Sequence, residues 1–270
     1  MLELKHVYKV FNEGTPDEKI ALKHIDLSLK KGDFLTIIGS NGAGKSTLMN
    51  IISGVLQPDY GTVKINDRDV TLMPEHKRAR FIGRVFQDPM SGTAPDLTIE
   101  ENLAIAFSRN RKRSLRLGIT RKRREFFREA LAFLNLGLEN RLQAKVGLLS
   151  GGERQALSLL MATFTNPDVL LLDEHTAALD PARAELVTEL TGKIVAELGL
   201  TTIMVTHNMQ QAIDLGNRLI MMDHGEFILD VMEEDKKKLT VEQLLHEFYR
   251  IRGKQMTSDR EILSSLAAAK

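Results

Sequence analysis

The residues best placed to do chemistry are nine in a row: Gly39-Ser40-Asn41-Gly42-Ala43-Gly44-Lys45-Ser46-Thr47. They fit G-x-x-x-x-G-K-[ST], the pattern of a phosphate-binding loop. Phe34-Leu35-Thr36-Ile37-Ile38 before it reads as a buried strand, and the residues from Ser46 to Ser53 read as a helix ended by Gly54. Glycines let backbone N–H groups curl around phosphate oxygens, and a helix N-terminus adds partial positive charge. Lys45 can then reach the β- and γ-phosphates of a nucleoside triphosphate, and the Ser46 hydroxyl can ligate Mg²⁺.

Such a loop needs an acidic partner. Asp168-Val169-Leu170-Leu171-Leu172-Asp173-Glu174 reads as an apolar strand ending in two carboxylates. Successive side chains on a strand point to opposite faces, so Asp173 and Glu174 should have different tasks. One serves Mg²⁺ and the other the attacking water. Leu149-Ser150-Gly151-Gly152-Glu153 opens a further helix, with Ser150 and Glu153 at capping-box spacing. Glycines in that first turn cost up to about 1 kcal/mol each relative to alanine. A helix start stripped of side chains does allow close approach to a phosphate.

Weaker candidates stand at strand exits. Gln87 leaves the strand Ile82-Gly83-Arg84-Val85-Phe86, where it could ligate Mg²⁺ or hold water, or be an ordinary loop residue. His207 leaves Thr201-Thr202-Ile203-Met204-Val205, where it could meet a γ-phosphate or be structural. Phe11 ends the first strand; it could stack on adenine, a contact of roughly 1–3 kcal/mol, or be a core residue. Asp180 before Pro181 is explained by helix capping alone.

These residues need elements to position them. Strands, with strict alternation over Ile25–Lys30, fill the first 32 residues. Mostly helix is expected over 96–165. A helix with the stripe Val187, Leu190, Ile194 and Leu198 follows Asp180 and ends at Gly199. The last residues hold a strand at Leu219–Met222, the run Lys236-Lys237-Lys238, and a helix with Thr240 and Gln243 spaced as a capping box. The chain has 270 residues, 43% hydrophobic and 27% charged, with net charge +1 and no cysteine. That suits a protein with a real core and excludes disulfides, thiol catalysis and Cys-ligated zinc. No apolar run reaches a membrane span, and the start Met1-Leu2-Glu3-Leu4-Lys5 does not read as a signal peptide. The basic clusters Arg109-Asn110-Arg111-Lys112-Arg113 and Arg121-Lys122-Arg123-Arg124 read as a solvated face or as a contact for anionic lipid or an acidic partner. No aromatics interleave with them, so nucleic acid ranks last.

In this order the motifs resemble the ATP-binding subunit of an ABC transporter, over roughly residues 1–230. The resemblance implies an α/β fold: a P-loop NTPase core with a parallel sheet, a small antiparallel β-subdomain and a helical subdomain at about 90–160. Residues 1–232 would form this domain and 233–270 a short helical tail. It implies that Phe11 stacks on adenine and that Gln87 links Mg²⁺ to a transmembrane partner. Glu174 and His207 act on the water and the γ-phosphate. Two chains sandwich two ATP molecules, each phosphate loop facing Ser150, Gly151, Gly152, Glu153 and Asp180 of the other. Permease subunits would hold this homodimer at the cytoplasmic face of the membrane. Two residues depart from the pattern: Glu153 stands where glutamine is common, awkward near a γ-phosphate, and His175 stands where proline is usual, which would loosen that turn.

The stretch from Pro74 to Arg80 through Gln87 to Pro95 resembles importer ATPases that serve lipoprotein binding proteins, some assigned to aromatic amino acids. Two other readings remain open: an ATPase for lipoprotein release or envelope remodelling, and a soluble ABC ATPase in DNA repair or translation.

Overall fold

The computed structural model describes residues 1–109 and 118–252. Two sheets organise it. The first is four-stranded, in the order β2-β1-β4-β5. It contains β1 (Leu2–Phe11), β2 (Lys19–Leu29), β4 (Tyr60–Ile65) and β5 (Arg68–Asp69), and its pairings are antiparallel. The second is six-stranded, in the order β10-β9-β3-β8-β7-β6. Its members are β3 (Phe34–Gly39), β6 (Ile82–Val85), β7 (Val169–Asp173), β8 (Thr201–Val205), β9 (Arg218–Asp223) and β10 (Glu226–Met232). Five of these run parallel, and β10 adds an antiparallel edge that the sequence reading did not include.

The helices are α1 (Lys45–Ser53), α2 (Glu75–Arg78), α3 (Ile99–Ser108), α4 (Arg121–Ala132), α5 (Gly151–Thr163), α6 (Pro181–Leu198), α7 (Met209–Asp214), α8 (Glu233–Lys236) and α9 (Val241–Arg252). The α1 side chains Leu48, Ile51 and Ile52 pack in one core with Leu4 and Val7 of β1 and Leu35 and Ile37 of β3, so α1 lies between the sheets. On the other side, Phe127 and Leu131 of α4 and Leu157 and Leu160 of α5 join Val85, Leu170, Leu172 and Met204. Every residue of β8 is buried, as expected of a parallel strand covered on both faces.

One reading changes. Leu198 is 48% exposed and does not belong to the buried stripe of α6. The helix stops there, and beyond the left-handed Gly199 it is Leu200 that turns inward. Lys236 also differs from its neighbours in the lysine run, a feature the sequence reading did not address. It is 2% exposed, and its ammonium donates to the carbonyls of Leu215 and Gly216. Burial lowers its pKa to about 8. The expected capping box forms: Thr240 N–H donates to Gln243 at 2.9 Å, and Gln243 N–H to the Thr240 hydroxyl at 3.2 Å. The residues 110–117, in the basic run, and 253–270, in the tail, lie outside the described residues.

Candidate active site

The phosphate loop leaves the C-terminal end of β3, flanked by β8 and β9. Its backbone leaves no room for side chains at the bends. Gly39 has φ +154°, and a Cβ there would stand 2.2 Å from the Met222 carbonyl oxygen. Gly44, the N-cap of α1, has φ +105°, with the Ala21 carbonyl 2.5 Å from any added Cβ. No side chain caps α1 and no acid sits in its first turn. Lys45, 5% exposed, donates to the carbonyls of Gly39 at 2.7 Å and Ser40 at 3.0 Å. The Ser40 hydroxyl donates to Asp223 at 3.2 Å.

Asp173 ends β7, two sheet positions from β3. Glu174 is not the next residue of the strand, as strand alternation had it. Its φ is +47°, so the chain turns there in the left-handed region, while its N–H donates to the Val205 carbonyl at 3.0 Å. That conformation costs a non-glycine residue energy, and such strain gathers where the fold needs a particular direction. The turn brings Glu174 Oε1 to 2.6 Å from His207 Nε2. Burial pushes the Glu174 carboxyl upward, but hydrogen bonding and charge from His207, with the charge of Lys45, outweigh it and leave it below the ordinary glutamate value. Burial pulls the Lys45 ammonium downward, against the charges of Glu174 and Asp173. Lys45, Asp173, Glu174 and His207 thus act on one another.

The other predicted residues stand elsewhere. Gln87 is exposed in the loop after β6, and the carbonyl of its neighbour Phe86 accepts from Gln155 of α5 at 3.0 Å. Phe11 ends β1 opposite Lys19, with the Lys9 ammonium 5.7 Å from its ring. Ser150 and Glu153 close a full capping box: Ser150 N–H donates to Glu153 Oε2 at 2.7 Å, and Glu153 N–H to the Ser150 hydroxyl at 3.3 Å. Arg141 holds the second carboxylate oxygen of Glu153 at 2.8 Å. The acid at this position is therefore neutralised within the chain. The glycines have a packing role that the sequence reading lacked. A Cβ on Gly151 would meet Leu179 at 3.1 Å, and one on Gly152 would meet Arg183 at 3.2 Å. Asp180 caps α6 through Arg183 N–H at 3.2 Å.

Sequence reasoning misread one residue and missed two. His175 does not loosen its turn. Its ring is buried, Nε2 lies 2.9 Å from the Thr191 hydroxyl, and burial lowers its pKa to about 4, so it is neutral at pH 7. Gln211 of α7 ties three hydroxyls together: it accepts from Thr206 at 2.7 Å and donates to Thr188 at 2.7 Å and Thr176 at 3.3 Å. It braces the segments that carry His207 and Glu174, and nothing in sequence marks it. Arg84 is the second residue missed: its Nη2 donates to Asp173 Oδ2 at 2.9 Å. A signal existed here, because Arg84 is the one charge in the strand Ile82-Gly83-Arg84-Val85.

A family model described as ABC transporter matches residues 22–177, more than half of the chain. The chain belongs to the ABC transporter family. It is an ATP-binding, ATP-hydrolysing subunit that powers transport. It is 43% identical to a tyrosine transport ATP-binding protein of Clostridioides difficile (strain R20291), over 92% of this chain and 98% of that protein. It is 37% identical to a methionine import ATP-binding protein of Enterococcus faecalis (strain ATCC 700802 / V583), over 84% of this chain and 64% of that longer relative. An ATP-binding cassette solved as a dimer in a post-hydrolysis state, bound to ADP and Pi, superposes with a TM-score of 0.72 at 32% identity, covering 86% of this chain and 98% of that one. Motifs and fold thus agree on an ABC cassette.

Proposed function

We propose that this ABC ATPase energises import of a small solute, of the amino-acid class, as part of a membrane complex. The observation that carries its chemistry is the Glu174–His207 pair at 2.6 Å, within the field of Lys45 at the C-terminal ends of the parallel strands. Glu174 orients and deprotonates the attacking water. His207 holds that carboxylate and faces the γ-phosphate. Lys45 neutralises charge that develops on the phosphates. Phe11 stacks on adenine, and the backbone from Gly39 to Thr47 cradles the phosphates.

Mg²⁺ fits the donors present. Among the described residues no cluster of His, Asp and Glu forms a protein-only metal cage. Mg²⁺ is ordinarily held by one or two carboxylates together with substrate phosphates. Asp173, the Ser46 hydroxyl and Gln87 are the groups that would hold it, and it would supply charge neutralisation at the phosphates when bound.

The working unit is a homodimer in which Ser150, Gly151, Gly152, Glu153 and Asp180 of one chain complete the site of the other. Permease subunits dock near Gln87 and the helices between about 90 and 160, and a binding lipoprotein delivers the solute outside. Among the described residues no helix is long and apolar enough to cross a membrane. Attachment would run through the permease subunits, peripheral and on the cytoplasmic face. The tyrosine and methionine relatives support an amino-acid cargo.

Glu174→Gln tests the assignment. Losing a general base costs about 10²–10⁴-fold in turnover. The variant should bind ATP, barely hydrolyse it, and collect as a nucleotide-dependent dimer in gel filtration. Full turnover in this variant sinks the proposed role of Glu174.

A further inference from the structure

Arg84 sits in β6 opposite Leu171 of β7, two residues short of Asp173. Residues two apart on a strand share a face. The long side chain therefore runs along that face to the strand end, where Nη2 meets Asp173 Oδ2 at 2.9 Å. The other nitrogen, Nη1, donates to Asn50 Oδ1 at 2.9 Å and approaches the Ser53 hydroxyl at 3.3 Å. Both belong to α1, the helix that begins with Lys45. The guanidinium also lies 4.9 Å from the Phe86 ring, while its Nε is buried without a partner. The arginine and aspartate side chains are 13% and 17% exposed, so water screens the pair only weakly.

A nucleoside triphosphate brings several negative charges to Lys45. Two carboxylates stand beside that lysine, and each repels the incoming anion. Glu174 is paired with His207 and Asp173 with Arg84. We infer that Arg84 is the standing counter-ion of Asp173, which lets the site accept a nucleoside triphosphate without a divalent cation already in place. The pairing engages Oδ2 and leaves Oδ1 for a cation that arrives with the nucleotide. Arg84 is a positioning residue here, acting through Asp173. This inference rests on the reading of Asp173 as the carboxylate that faces the metal nucleotide.

A plain strut between α1 and β7 would use the same bonds, so the test must separate charge from scaffolding. Binding of a fluorescent ATP analogue to the purified full chain is measured with excess Mg²⁺ and again in EDTA. Arg84→Gln keeps polar contacts and removes the charge. It should weaken metal-free binding about tenfold, the order expected of one unit charge near another in a medium between water and protein interior. With Mg²⁺ the loss should stay within about threefold, because the cation then cancels the carboxylate. Arg84→Lys should retain most of the metal-free affinity, and Asp173→Asn added to Arg84→Gln should restore it. Equal losses in both conditions, no loss in EDTA, or no restoration by Asp173→Asn each overturn the counter-ion role. If Asp173→Asn alone changes binding in neither condition, Asp173 does not face the nucleotide, and the metal reading falls with the inference.

Discussion

The proposed site sets two helix starts against phosphate, and the chain builds them in opposite ways. At α1 the N-cap is Gly44, with no side-chain cap and no acid in the first turn. At α5 the N-cap is Ser150, whose backbone N–H is taken by Glu153, and Arg141 answers the charge. A bare helix start offers its own N–H groups and dipole to an anion. A start closed by its own carboxylate has spent that capacity on folding. On the proposed reading, the first end grips phosphate, and the second presents one hydroxyl, Ser150, from a rigid frame. The glycines differ in the same sense. Gly39 and Gly44 are required by positive φ and by backbone carbonyls. Gly151 and Gly152 are only crowded, by the side chains of Leu179 and Arg183.

The largest expected effects test whether the two ends serve one site. Lys45→Ala should abolish ATP binding. Ser150→Arg should leave binding to the single chain and abolish turnover. If the ends meet across a dimer, mixing the two variants creates one site with both lesions and one with none. ATP-dependent dimerisation and weak hydrolysis should then return only in the mixture, with chain exchange verified by labelling. Were both ends drawn from one chain, mixing would restore nothing.

A smaller effect sharpens the glycine contrast. Gly44→Ala forces an alanine to φ +105° against a carbonyl 2.5 Å away. Strain of that kind costs about 1–3 kcal/mol, read as a fall in the urea unfolding midpoint. Gly151→Ala meets only the Leu179 methyl at 3.1 Å, which can swing aside, so stability should change by less than about 1 kcal/mol. If Gly151→Ala loses turnover far beyond its stability change, that glycine serves the reaction and not only the packing.

Much of this was legible in the residues, for a physical reason. The phosphate loop, the acidic strand end and the Ser150 box are local devices, each contained within a few residues whose spacing fixes their geometry. The β10 edge, the fate of Leu198 and the burial of Lys236 depend on what packs nearby, and short-range periodicity cannot see that. The site's supports were hidden for the same reason. Thr206 and Gln211 are close in sequence, but the other hydroxyls that Gln211 reaches, Thr176 in the turn after β7 and Thr188 in α6, lie more than 20 residues away. Arg84 reaches Asp173 across 89 residues. Its charge inside a buried strand was visible, but the acid that explains it was not. The left-handed turn at Glu174 had no sequence signal, since strand alternation predicts the opposite geometry.

The smallest expected effect isolates Glu153. Burial pushes its carboxyl upward, but the Ser150 backbone and hydroxyl together with Arg141 more than offset this and hold it below the ordinary value of 4.5. A carboxyl depressed in the folded state stabilises above its unfolded pKa and loses that contribution as pH falls through its folded one. The contribution of Glu153 should therefore be complete at pH 7.5 and decline below about 4.5. The start of α1, without an acid in its first turn, has no such term. Glu153→Gln keeps an acceptor for Ser150 N–H, because glutamine also closes a capping box, and loses only the ion pair with Arg141. A partly exposed pair of this kind is worth up to about 1 kcal/mol. Other carboxylates titrate over the same range, so the informative quantity is the difference between wild type and Glu153→Gln. Their urea midpoints should differ slightly at pH 7.5, and the difference should shrink as the pH falls below about 4.5. A difference that holds constant across that range would mean that Glu153 caps α5 by shape alone, and the contrast between the two helix starts would then owe nothing to charge.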